Sequence, residues 1–374
     1  MKIRMAREDL LTALQRVQGV VEKRNTMPIL ANILLEAKPE GLDILATDLE
    51  IGMRGLYKAT VEKPGSVTFS ARTLFDILKE VRHAEIEIVV GENHWVTITA
   101  GKSQFRVVGL PSKDYPALPT IERDGLLSIP AEGLLKLLKK TVFAVGEKDT
   151  RYVLNGLLIT LIPSGKNVTI RLVGTDGHRL GWAEQEVTPE PSGIPSSELQ
   201  VIIPKKAAIE IRRLLEEDDK DSLLCFTKNL LILRKSGLVF TSRIMEGTYP
   251  NYQQVVPKES SKKVTLNKSE LEGALRRVAI LSKDKAHAVK LSFNSDHVHL
   301  SSKSPDLGEA EEEIAATYKG ENFSAGFNAR YFLDVLSVIE IETLSLQMET
   351  ALSPCLIQEQ GNPTFKAVVM PVKV

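Results

Sequence analysis

The sequence predicts an α+β fold of three similar domains, each a doubled unit of one helix followed by antiparallel strands. Three observations carry this. A phrase recurs: Ser70-Ala71-Arg72-Thr73-Leu74-Phe75-Asp76-Ile77-Leu78 returns as Asn328-Ala329-Arg330-Tyr331-Phe332-Leu333-Asp334-Val335-Leu336, with a weaker middle copy from Pro204 to Ile211. Each third also closes alike, on Tyr115-Pro116-Ala117-Leu118-Pro119, Tyr249-Pro250-Asn251-Tyr252 and Val368-Val369-Met370-Pro371. The resulting period of about 130 residues is domain-sized and too long for a solenoid repeat. Finally, helical apolar spacing alternates with short strand-like runs bounded by turn residues such as Lys63-Pro64-Gly65.

Taken in order, Leu10, Leu14 and Val17 stand at i, i+4 and i+7 and predict a first helix over 9–17, with strands over 29–37 and 42–47. The order then repeats, with a helix over 71–81 and strands over 85–90, 95–100 and 105–110. The middle third has helices over 131–141 and 205–215, and the last over 268–281 and 329–339. Aligning Asp9-Leu10 with Glu270-Leu271 brings Leu14 onto Leu275 and Val17 onto Val278, so six helix-plus-strands units are read. Polar or Pro-containing stretches at 118–125 and 256–263 set domains of 1–124, 125–257 and 258–374, with 189–195 as a loop inside the second. Helices on one face of antiparallel sheets follow from this pattern.

Composition narrows the function classes. Lys plus Arg and Asp plus Glu both number 48, so bulk charge draws the chain to neither nucleic acid nor membrane. Cys225 and Cys355 each lie in an apolar run and suggest no disulfide framework. The start, Met1-Lys2-Ile3-Arg4-Met5, is unlike a signal peptide, and no apolar run is long enough to span a bilayer. A soluble, cytoplasmic protein with no membrane partner is expected.

The sequence holds little that resembles an active site. Gly101-Lys102-Ser103 has the tail of a phosphate-binding loop, but Val96 stands where its first Gly is needed. The acidic run 216–221 lacks the ligand spacing and central Gly of a calcium loop and reads as a solvated turn. His297 and His299 share one strand face with no third ligand spaced nearby, so neither metal nor cofactor is expected. Thr175-Asp176-Gly177-His178-Arg179 is the one polar cluster that could pass for catalytic; a turn forming part of a binding surface is preferred over an acid/base pair. The helices lean basic: Lys205, Lys206, Arg212 and Arg213 against Glu210, and Lys136, Lys139 and Lys140 against Glu132. Arg276 and Arg277 recur on another helix, and Arg72, Lys79 and Arg82 on a fourth. Such a helical side can meet phosphates although the whole is neutral, but solvated amphipathic faces fit equally well.

Thr175-Asp176-Gly177-His178-Arg179-Leu180, Tyr249-Pro250-Asn251-Tyr252, the phrase from Asn328 to Leu336, and Val369-Met370-Pro371-Val372 resemble the bacterial DNA polymerase III beta subunit, the sliding-clamp family, along essentially the whole chain. The resemblance implies the DNA clamp fold: a head-to-tail homodimer of six domains, helices lining the hole. Such a ring encircles duplex DNA without sequence preference and tethers the replicative polymerase, with no catalysis of its own. Moderately basic helices on a neutral chain suit a ring held by topology, because strong phosphate contacts would hinder sliding.

By position in the family pattern, Arg24, Arg72, Lys148, Tyr152, Lys205 and Lys206 are the DNA-contact candidates. Val153 departs from the pattern, since many clamps carry a second Tyr there, which puts one contact in doubt. The implied partner-peptide site combines Leu154, the stretch Thr175, Gly177, His178, Arg179 and Leu180, then Pro250, Val255 and Leu352, and finally Val368, Met370, Pro371 and Val372. Its implied ligands are short motifs, with a Gln and a Leu/Phe-type pair, from the DNA polymerase III alpha subunit, the clamp-loader delta subunit and other clamp-motif proteins. From residues alone, a buried last strand is the favoured reading of 368–372. The dimer interface is expected to use Lys102, Phe105 and Val107 against Ile280, Leu281, Glu311 and Glu312. A specialised second copy of the clamp, a DNA-modifying enzyme on repeated α+β domains, and a scaffold with no DNA role remain open from the sequence.

Overall fold

The recurrent phrase begins on a polar residue because that residue caps a helix. The computed structural model describes residues 1–21, 27–119, 127–190, 193–217, 221–235, 237–257, 260, 262–282 and 287–373. Within them α1 (Arg7–Val17) buries Leu10, Ala13, Leu14 and Val17, and α2 (Ala71–Glu80) buries Ala71, Leu74 and Leu78. Helix α3 (Leu134–Thr141) buries Leu134, Leu137 and Leu138, and α4 (Lys205–Glu217) buries Ala207, Ala208, Ile211, Leu214 and Leu215. Helix α5 (Lys268–Val278) buries Leu271, Ala274, Leu275 and Val278, and α6 (Ala329–Leu336) buries Ala329, Phe332, Val335 and Leu336. Ser70 Oγ accepts from Thr73 N at 3.2 Å, Asn267 Oδ1 from Glu270 N at 3.1 Å, and Asn328 Oδ1 from Arg330 N at 2.9 Å. Each such cap contributes about 1 kcal/mol. Helix α1 has no side-chain cap; Glu8 and Asp9 in its first turn and Arg16 in its last complement the helix dipole instead.

The described chain divides into two compact units, Met1–Glu132 with Pro189–Ile194 and Glu210–Ile244, and Gly133–Thr188 with Pro195–Ile209 and Met245–Val374. The first holds a five-stranded sheet in the order Thr60–Lys63, Lys2–Ala6, Glu85–Val90, Trp95–Ala100, Ser103–Val108. Its second sheet has eight strands, in which Ile51–Tyr57 pairs antiparallel with Leu238–Arg243. The other unit carries a thirteen-stranded sheet, in which Arg179–Val187 pairs antiparallel with Phe365–Val369. Strands from successive sequence repeats therefore share sheets. The threefold repeat and the two compact units cut the chain differently, because pairing follows strand edges and not sequence order. No helix among the described residues is long and apolar enough to cross a membrane.

Several expected boundaries move, each for a local reason. The strand expected over 29–37 opens with a 3-10 turn, Pro28–Ala31, where Pro28 fixes φ and offers no ladder donor; the strand proper is Asn32–Lys38. The strand expected over 105–110 is Ser103–Val108, because Gly101 (φ 59°) and Lys102 form a two-residue hairpin loop closed by the Ala100–Ser103 pair. Helix α3 starts at Leu134 and not at 131, since Gly133 precedes it at φ 75°.

Two of the cations read as part of a basic helical face are not there. Lys140 is buried, its Nζ 2.9 and 2.8 Å from the two carboxylate oxygens of buried Glu359. Arg213 donates to the backbone carbonyls of Gln15 (2.6 Å) and Arg16 at the end of α1, and to Glu210. Both sit at helical spacing beside other basic residues, so periodicity alone does not separate them.

Candidate functional site

In the second unit, the turn between strands Asn167–Thr175 and Arg179–Val187 is tied by its own side chains. Thr175 Oγ1 donates to Arg179 O at 2.7 Å and accepts from Gly177 N at 3.0 Å. Asp176 Oδ1 accepts from His178 N at 2.9 Å and Arg179 N at 3.0 Å, and its Oδ2 accepts from Arg179 Nε at 3.0 Å. The Asp176 carboxylate is thus committed to the turn and to Arg179, which leaves it unsuited to act as a base partner for the imidazole. Gly177 sits at φ 84°, and a Cβ there would lie 2.7 Å from the Arg151 guanidinium. That guanidinium donates to Asp176 O at 3.0 Å and pairs with Asp149 at 2.9 Å, which holds the Asp149 carboxyl down at about 2.

Close backbone approach sets this turn against α3. Gly174 and Gly181 face each other across the sheet, and a Cβ on either would meet Thr141 O at 2.5 Å or Lys140 O at 2.8 Å. The turn then meets α6: Arg179 bonds Asp334 through Nη1 and stacks 4.8 Å over the Tyr331 ring, while His178 stacks on the same ring at 6.2 Å. Tyr331 and Asp334 lie within a phrase that sequence periodicity reads only as a helix. Their role as the wall behind Arg179 is visible only once α6 is placed.

Beside the turn lies an apolar cluster of Leu154, Leu158, Val173, Leu180, Ile202, Met245, Tyr249, Val256, Leu356 and Val368, flanked by Val153, Trp182 and Tyr252. Strand register assembles it: Leu180 faces Val368, and Val368 faces Leu356. Met370 N donates to His178 O at 2.8 Å, which fastens the terminal segment to the turn. Of the residues expected here, Leu154, Leu180 and Val368 are fully buried and form a floor, while Met370, Pro371 and Val372 are half-buried. Pro250, Val255 and Leu352 are exposed, Leu352 at 75%. Trp182 lies between the Arg171 and Lys366 cations, 4.9 and 4.1 Å from its ring, and carries an indole N–H with no partner among the described residues. An apolar floor beside a polar turn suits a short peptide.

Residues 1–119, 128–251 and 253–373 match, in that order, the N-terminal, central and C-terminal domains of the DNA polymerase III beta subunit. The chain belongs to this sliding-clamp family. It is 35% identical to the beta sliding clamp of Caulobacter vibrioides and 34% identical to that of Pseudomonas aeruginosa, each over 100% of both chains. Among solved structures it is similar to the sliding clamp of Bartonella birtlesii bound to griselimycin, with a TM-score of 0.93 at 34% identity over 100% of both chains. It is also similar to the clamp of Bacillus subtilis, with a TM-score of 0.90 at 29% identity, covering 100% of this chain and 99% of that one.

The remaining positions singled out by the clamp pattern fall as follows. Arg24 lies outside the described residues. In the first unit Arg72 is exposed on α2, with Asp76 at 3.7 Å. In the second, Lys148 is exposed at φ 59° and Tyr152 is 58% exposed. Lys205 is half-buried, its Nζ donating to Val145 O at 2.9 Å with Glu147 at 3.9 Å, so Lys205 and the 145–152 segment are brought together. Lys206 is half-buried beside it. Lys102 is exposed, and Phe105 and Val107 are half-buried on Ser103–Val108, the last strand of the five-stranded sheet. Ile280 is 64% exposed just past α5 and Leu281 is half-buried. Glu312 pairs with Arg277 at 2.9 Å, and Glu311 lies 3.7 Å from His299. Among the described residues no group of three or more His, Cys, Asp and Glu side chains is placed to hold a metal ion.

Proposed function

We propose that two copies of this chain close head-to-tail into a ring that encircles duplex DNA and tethers the replicative polymerase, without chemistry of its own. The observation that carries the reading is a pair of unsatisfied strand edges. Among the described residues Ser103–Val108 has a neighbour on one side only. Gly308–Tyr318 meets Lys262–Asn267 only through residues 316–318, so 308–315 keeps one open side among the described residues. Exposed edges invite pairing with another chain. One edge is followed by Phe105 and Val107 with Lys102 nearby, the other by Glu311 and Glu312 with Ile280 and Leu281 as the apolar element, so charge and apolar area are complementary.

In this ring Arg24, Arg72, Lys148, Tyr152, Lys205 and Lys206 contact the DNA backbone, weakly enough to slide. The groove beside the Thr175–Leu180 turn receives short motifs of the polymerase III alpha subunit, the clamp-loader delta subunit and other partners. That relatives named beta sliding clamps match end to end supports the assignment, and with it a cytoplasmic site of action. Sedimentation tests the ring's interface: the chain runs as a dimer, and Phe105→Arg with Ile280→Asp runs as a monomer. A double variant that stays dimeric overturns this interface.

A further inference from the structure

The turn of the second unit has a copy in the first that repeats its Thr and Asp backbone bonds. Thr47 Oγ1 donates to Ile51 O at 2.8 Å and accepts from Leu49 N at 3.0 Å, as Thr175 does with Arg179 and Gly177. Asp48 Oδ1 accepts from the backbone of Glu50 and Ile51 at 3.0 and 2.8 Å, as Asp176 does from His178 and Arg179. Strand register extends the match. Leu34 faces Leu45 and Leu45 faces Arg54, where the other copy has Leu158 facing Val173 and Val173 facing Trp182. Arg54 in turn faces Val239, and Gly52 faces Thr241; Trp182 faces Lys366, and Leu180 faces Val368. Tyr115, from the first closing phrase, donates to Asn32 O at 3.0 Å; Tyr249, from the second, donates to Val173 O at 3.3 Å.

At this place the first unit has an open cavity of about 520 Å3, lined among others by Leu34, Leu45, Arg54, Tyr115, Leu118 and Val239. That size is within the range of ligand sites. Its chemistry differs from the other groove at one decisive position, because Arg54 stands where the other copy has Trp182. Arg54 Nε lies 3.0 and 2.8 Å from the oxygens of buried Asp43, and Nη2 bonds the same carboxylate. Its Nη1 has no hydrogen-bond partner among the described residues, and the side chain is 47% exposed. Glu36, also on the lining, pairs with Lys38 at 2.9 Å and lies 4.0 Å from Arg54 Nη2. An apolar floor beside a half-exposed guanidinium complements a carboxylate next to a large apolar side chain.

We propose that this cavity is a second docking site, for a short segment of a partner protein that carries a carboxylate beside a large aliphatic or aromatic side chain. The carboxylate meets Nη1 of Arg54, and the apolar side chain lies on Leu34, Leu45 and Leu118. The site lies wholly within the first unit and does not depend on ring closure.

The test uses the full chain and a photoreactive probe, acetyl-Gly-Asp-(benzoylphenylalanine)-Leu-amide, with cross-links mapped by mass spectrometry. Labelling is expected within 115–119 and 238–241. It falls about tenfold or more in Ala117→Trp and in Arg54→Gln, and is unchanged in Leu352→Asp. Ala117 is exposed, so Ala117→Trp blocks the cavity without disturbing the core, which its melting temperature verifies. Absence of labelling at these segments, whatever occurs at 249–256 or 352–372, overturns the proposal. So does cavity labelling that survives Ala117→Trp or Arg54→Gln. Self-association abolished by Ala117→Trp, with no probe labelling, assigns the cavity to a second copy and overturns it equally.

Discussion

Gly177 and Leu49 occupy the same place in two copies of one turn, at φ 84° and 79°. The left-handed region costs an L-residue about 1–2 kcal/mol. Leu49 bears that cost 45% exposed, whereas at Gly177 a Cβ would also press on the Arg151 guanidinium at 2.7 Å. Gly177→Ala is therefore expected to destabilise the chain by about 1–2 kcal/mol in urea unfolding and to weaken peptide binding. An unchanged midpoint would show that the turn relaxes freely. Leu352 gives the opposite separation. At 75% exposure, Leu352→Asp leaves stability within about 0.5 kcal/mol but lowers affinity for a clamp-motif peptide, read by fluorescence polarisation, about tenfold. The Thr-Asp-Gly-His-Arg turn was legible in the sequence because its bonds are local. The roles of Tyr331, Asp334, Trp182 and Arg151 were not, since each reaches the site through register or helix placement across long sequence separations.

At the scale of elements, the Lys140–Glu359 pair joins α3 to strand Cys355–Glu359. Burial pushes the Glu359 carboxyl up, but hydrogen bonds from Lys140 Nζ, Glu340 N and Asn362 Nδ2 outweigh it and hold the group below its ordinary 4.5. A carboxyl with a depressed folded value binds fewer protons folded than unfolded. Its stabilisation is thus present above about 4.5 and lost as pH falls through the folded value. Thermal unfolding is expected to show this acid loss, and Glu359→Gln is expected to lower stability at neutral pH by about 3–5 kcal/mol through the unpaired buried ammonium. The pair Lys140→Met with Glu359→Leu should recover most of it; a double variant as unstable as Glu359→Gln would contradict this reading. Helix order was readable from the repeated phrase, whereas the caps and the burial of Lys140 were not, the latter because its partner lies in another repeat.

For the whole molecule, the repeat predicted three similar domains and the family match bears out that fold class. The sharing of sheets between successive repeats was not foreseen, since an edge strand's partner leaves no mark in its own spacing. A neutral chain whose strand edges at 103–108 and 308–315 are open among the described residues suits retention on DNA by enclosure and not by affinity. The most direct measurement loads the protein with a clamp loader and ATP onto nicked circular DNA, then follows retention before and after the circle is cut. Protein is expected to stay on the circle and to run off the free ends once it is linear. Equal retention on both forms would mean contact-based binding and would contradict the ring.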